Sequence, residues 1–161
     1  MAFKEIRKEN PGKIFRYAEE DVDEKWESLL KSTEVKLSHL GRYGYFDWKH
    51  HEKESYLSYF LLEDTELVKQ LFRASALSKH KSIHLMYVGR GPNGSHALFE
   101  MDTEVFIENY EEFMCTAGGP LAIAESEKLF FEVGKYYLYS NFNVFGVESK
   151  VDTYNPIGFV V

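Results

Sequence analysis

The sequence predicts an α+β fold, a single domain in which a mainly antiparallel sheet of hairpins or a meander packs against about three helices. Three stretches repeat apolar residues at helical spacing, and several shorter runs are apolar or alternating and bounded by turn residues. These two kinds of segment do not alternate regularly, as a doubly wound parallel sheet would require. At 161 residues the chain sits within the range of one domain.

Residues 1–18 are poorly patterned, with a turn at Pro11-Gly12 and with Ile14, Phe15 and Tyr17 open between a short strand and part of a loosely packed arm. From Glu19 the run EEDVDEKWESLLKS reads as a helix. Acids fill its opening turns, where the helix dipole favours them, and Val22, Trp26, Leu29 and Leu30 share one side. Its outer face carries Glu20, Asp23, Glu24 and Glu27.

Residues 34–49 read as two strands joined through Gly41 and Gly44, and the aromatic-rich run at 55–62 as a further strand. A second helix follows from Asp64, with Leu67, Leu71 and Ala74 along one side and Val68, Phe72 and Ser75 beside them. The runs SIHLMYV and HALFEM flank GRGPNGS, whose Asn93-Gly94 is a strong hairpin signal, so antiparallel strands are expected at 82–88 and 96–101. The glycines of that loop do not form a phosphate site, because a strand pattern and not a helix follows Ser95.

Residues 100–119, EMDTEVFIENYEEFMCTAGG, carry the third helix, at 102–117. Asp102 or Thr103 serves as N-cap and Gly118-Gly119 as the stop. Phe106, Ile107, Tyr110, Phe113, Met114 and Ala117 form its core face, and Glu104, Glu108 and Glu111 an acidic stripe opposite, with Glu112 adjoining. The remaining runs, PLAIAES, KLFFEVG, KYYLYSNFNVFGV and NPIGFVV, read as short strands. Over 136–145 alternation divides Tyr136, Leu138, Phe142 and Val144 from Tyr137, Tyr139, Asn141, Asn143 and Phe145. The second set is rich in the residue types that carry interface energy and is a candidate contact face.

No catalytic, metal or cofactor motif emerges. His50 and His51 lack HExxH or CxxC company, and adjacent strand residues point to opposite faces. His84 and His96 meet across the predicted hairpin at most as a pair without an orienting partner. Cys115, the only thiol, precludes an internal disulfide and lies near the negative end of its helix, where thiolate formation is disfavoured. No run approaches the roughly 20 apolar residues that span a bilayer, and the start has no apolar signal region, so the expected location is cytoplasmic with no membrane partner.

The charge distribution carries the functional expectation. Residues 1–90 hold 16 Lys/Arg against 15 Asp/Glu, whereas residues 91–161 hold 3 against 11. That imbalance argues against nucleic-acid binding, which needs clustered cations. It suits a basic protein partner, with complementary charge speeding encounter. The expected function is thus a non-enzymatic acidic binding or inhibitor domain, of the kind a bacterial immunity protein presents to a basic toxin domain such as a nuclease. Glu104, Glu108, Glu111 and Glu112 and the face of Tyr137, Tyr139, Asn141, Asn143 and Phe145 are its expected contact residues. The alternative is a small hydrolase or metal-dependent enzyme with an unsignatured His/carboxylate site. A homodimer through the Tyr-rich face is a third possibility.

Overall fold

The computed structural model describes residues 2–33, 56–59, 65–87, 96–114, 120–124, 129–133, 137–142 and 144. Among the described residues seven strands form one sheet: β1 (Ile14–Arg16), β2 (Tyr56–Tyr59), β3 (Ser82–Tyr87), β4 (Ala97–Asp102), β5 (Leu121–Ala124), β6 (Leu129–Val133) and β7 (Tyr137–Ser140). Their spatial order is β1-β4-β3-β5-β6-β7-β2, and each neighbouring pair is antiparallel. The described helices are α1 (Ala2–Glu9), α2 (Glu19–Thr33), α3 (Thr65–Ala74), α4 (Thr103–Glu108) and α5 (Tyr110–Met114), with a 3-10 turn at Ala76–Lys79. The architecture is α+β, as the mixture of hairpin and helix patterns predicts.

Both faces of the sheet are covered, which explains its many buried residues. On one face, Leu85, Phe99, Met101, Phe131 and Leu138 join Ile6 of α1, Val68 and Phe72 of α3 and Phe106, Tyr110 and Phe113 of α4 and α5 in the larger core. On the other face, Met86, Leu98, Leu121, Ile123, Phe130 and Tyr139 pack against Val22, Trp26, Leu29 and Leu30 of α2. Successive strand residues alternate between the two. The acidic helices α2 and α4 therefore lie on opposite sides of the sheet and cannot share a surface.

Several boundaries differ from the sequence expectation. The arm at 1–18 contains α1, closed by Asn10, whose Nδ2 donates to Ile6 O at 2.9 Å, and by the turn at Gly12 with φ 76°. In α3 the buried set is Val68, Lys69 and Phe72, while Leu67 is exposed. Of the two expected rows, Val68 and Phe72 carry the packing, Leu71 packs against the core while partly buried, and Leu67 and Ala74 are exposed. Asp64, its expected cap, lies outside the described residues.

The expected helix at 102–117 is two helices. Asn109 sits at φ −121°, ψ 21°, its N–H bonds Phe106 O, and its side chain donates to Val105 O at 2.9 Å. This local competition for backbone carbonyls interrupts the helix. Asp102 occupies the N-cap position without a side-chain cap bond. The hydroxyl of Thr103 turns away to donate to His80 O at 2.6 Å, tying α4 to the end of the 3-10 turn. The predicted core face is buried from Phe106 to Met114; Cys115, Ala117 and Gly118-Gly119 lie outside the described residues. So do the two strands expected at 34–49, the GRGPNGS turn and the NPIGFVV run.

Candidate functional site

The acidic stripe on α4 and α5 is mostly neutralised by α3. Glu108 accepts from Arg73 Nη2 at 2.8 Å and from Lys69 Nζ at 3.5 Å. Arg73 Nε also reaches Glu104 at 3.4 Å, and Thr65 Oγ1 donates to Glu111 at 3.2 Å. The hydrogen bond from Arg73, followed by the charge of Lys69, holds the Glu108 carboxyl below the usual carboxylate range. The same bond raises the Arg73 guanidinium. Lys69 itself is buried against α4, with a further ion pair to Glu66 at 3.3 Å. Of the four expected contact carboxylates, only the exposed Glu112 makes no bond within the described structure.

The Tyr/Asn face is also rearranged. Tyr139 is fully buried in the core beneath α2, which corrects its expected place on an exposed contact surface. Alternation did put it opposite Leu138, but both sheet faces are interior. Asn141 is half-buried and serves as a structural bridge, its Oδ1 accepting the Phe130 N–H at 2.9 Å and its own N–H bonding Phe130 O. Strand β7 ends at Ser140. The side chain of Tyr137, together with Asn143 and Phe145, lies outside the described residues.

The exposed acidic surface lies instead on α2. Glu19, Glu20, Asp21, Asp23, Glu24 and Glu27 are all exposed, and among the described residues none of the six is in an ion pair. Against them the helix carries only Lys25 and Lys31. Its buried stripe, Val22, Trp26, Leu29 and Leu30, fixes which way these carboxylates face.

Beneath the start of α2 the sheet bears a polar cluster that no sequence motif marks. His84 on β3 and Glu100 on β4 are direct cross-strand partners, with Nε2 to Oε2 at 3.3 Å. Tyr17 closes over both, its hydroxyl donating to Glu100 Oε2 at 3.0 Å and lying 3.3 Å from His84 Nε2. Ser82 Oγ donates to Glu100 Oε1 at 3.2 Å. Because the single phenol proton goes to Glu100, the imidazole must offer Nε2–H to this group. His84 is buried and its Nε2 is engaged, so an incoming molecule would meet the half-buried Glu100 carboxylate before the imidazole. That geometry holds a carboxylate in place better than it serves general base catalysis, which needs an accessible imidazole nitrogen.

The structure does not pair His84 with His96. His96, just ahead of β4, stacks on Trp26 with ring centroids 5.1 Å apart, and stands four residues from Glu100, an extended-chain distance of about 13 Å. His50 and His51 lie outside the described residues. Among the described residues no three His, Cys, Asp or Glu side chains group as metal ligands, and no helix is long and apolar enough to cross a membrane.

Comparison with known proteins adds no constraint: no family model, curated protein or solved structure matches the chain.

Proposed function

We propose that the chain is a non-enzymatic binding domain that presents the carboxylate face of α2 to a basic protein, in the manner of an immunity protein masking a cationic toxin domain. The supporting observation is the set of six exposed carboxylates from Glu19 to Glu27 that no described cation neutralises, in contrast to Glu104 and Glu108. An unneutralised anionic face raises the encounter rate with a cationic partner, and a packed helix holds the charges in a fixed array. The enzyme alternative draws on the Tyr17–His84–Glu100 cluster, and the engagement of Nε2 there weighs against it.

Co-expression with the product of the adjacent gene tests the reading. The expected outcome is a complex that survives purification and, if that product is a nuclease or other toxin, loss of its activity at one equivalent of this chain. Failure of the two proteins to associate, or association that leaves the activity intact, overturns the inhibitor reading.

A further inference from the structure

Strand β1 is the outermost of the described strands, and among the described residues no strand pairs with its outer edge. Tyr17 N–H bonds Leu98 O and Asp102 N–H bonds Lys13 O, so the odd-numbered residues of this strand direct their main-chain groups inward to β4. Ile14 and Arg16 consequently direct their N–H and C=O groups outward. Edge strands are usually blunted by shortness and charge, and β1 has both, being three residues long and flanked by Lys13. Phe15 breaks that pattern. Its side chain is 57% exposed, and it is one of only two large apolar residues so exposed among the described residues.

Register places Phe15 on the same sheet face as its partner Glu100, which in turn pairs with His84. The Phe15 ring makes an edge contact with Tyr17 at 4.9 Å, so the ledge is braced by the same phenol that orders Glu100. The acids of α2 begin two residues after Tyr17. Arg16 lies on the other face, over the ring of Phe99 at 5.5 Å.

We propose that the edge of β1 accepts an extended basic segment of the partner protein as an added strand, with a lysine or arginine of that segment lying across Phe15 to reach Glu100. This inference rests on the reading of a basic protein partner. A residue paired with Phe15 on the added strand stands two inter-strand spacings from Glu100, about 10 Å, which a long basic side chain and a glutamate bridge between them. Its aliphatic stem covers the exposed ring, the ring face attracts the cation, and the ordered carboxylate receives it. Main-chain bonds to Ile14 and Arg16 supply affinity, while the alternation of basic side chains supplies selectivity.

The probe is a nine-residue peptide alternating lysine with valine, added to the isotopically labelled full chain. Binding should perturb and protect the amides of Ile14 and Arg16. Phe15→Ala should weaken it at least tenfold and Glu100→Gln several-fold, and a peptide N-methylated at alternate residues should bind at least tenfold more weakly than its parent. A peptide with glutamate for lysine should not bind. The inference is overturned if the lysine peptide does not bind, if it binds while leaving those two amides unchanged, if Phe15→Ala leaves affinity intact, or if sedimentation shows a second copy of the chain on this edge. Binding of the natural partner that depends on the α2 carboxylates but is indifferent to Phe15→Ala removes the added strand and leaves the proposed function standing.

Discussion

Truncating Phe72 should cost far more than truncating Leu67, although the two lie on one helix and the hydrophobic pattern places them on adjoining apolar rows. Phe72 is fully buried and meets Phe106, Tyr110 and Phe131 at centroid separations of 5.9, 5.7 and 5.4 Å. Phe→Ala in such a setting costs about 3–5 kcal/mol through lost transfer energy and the cavity left behind. Three ring pairs, each adding about 0.5–1.5 kcal/mol beyond area, place Phe72→Ala in the upper part of that range. For a domain of this length each kcal/mol lowers Tm by about 2–4 °C, so the expected drop is on the order of 12 °C. Leu67 is 50% exposed, and Leu67→Ala should shift stability by no more than about 0.5 kcal/mol. Urea unfolding followed by circular dichroism measures both. A Phe72→Ala loss below about 1 kcal/mol, or a Leu67→Ala loss as large as that of Phe72→Ala, would refute the account of which α3 face is packed; the ~1 kcal/mol threshold is the ordinary effect of a single substitution.

Other consequences follow from the site geometry. Tyr139→Ala should destabilise the fold by about 3–5 kcal/mol, as for other buried aromatics, and act on partner binding only through lost folded protein; calorimetry on the isolated chain separates the two. Tyr17→Phe should cost about 1 kcal/mol, the net worth of one hydrogen bond, because His84 and Glu100 keep each other; a loss of several kcal/mol would mean that the phenol holds more than this cluster. Glu108 has its carboxyl depressed by Arg73, so this pair contributes stability above the ordinary carboxylate range and loses it as pH falls through the depressed value. Arg73→Gln should raise the Glu108 midpoint in an NMR titration and cost a few tenths of a kcal/mol, as exposed pairs do. An unmoved midpoint would contradict the assignment.

Much of the fold was legible because its signals are local. The apolar stripe Val22/Trp26/Leu29/Leu30 fixed both the existence of α2 and its inner face, and the paired runs at 82–88 and 96–101 became β3 and β4. The acid stripe of α4 was legible as a pattern but not as a surface, since nothing local announces that Arg73 and Lys69, more than thirty residues earlier, pack against Glu104 and Glu108. Tyr139 was misplaced for a related reason: alternation tells two faces apart but does not say whether one of them is solvent. The Tyr17–His84–Glu100 cluster depends on β1 pairing with β4, and three residues of IFR carry too little pattern to specify that partner. A charge count weighted toward residues 91–161 points to α4, whereas the array that no described cation neutralises lies on α2, where positive residues elsewhere in the first half mask it in the sum.

The association rate with the proposed basic partner, measured by stopped flow at low and high ionic strength, most directly tests the proposal that α2 is the partner-facing charged surface. Two charge-matched variants decide it, one carrying Glu20→Lys, Asp23→Lys and Glu27→Lys, the other Glu104→Lys, Glu111→Lys and Glu112→Lys. In each, three reversals of two charges move the formal net charge from −7 to −1. The α2 variant should associate about tenfold or more slowly at low salt and converge on the parent at high salt, while the α4–α5 variant should slow by less than about threefold. A larger effect from the α4–α5 variant, or no effect from the α2 variant, would contradict the account.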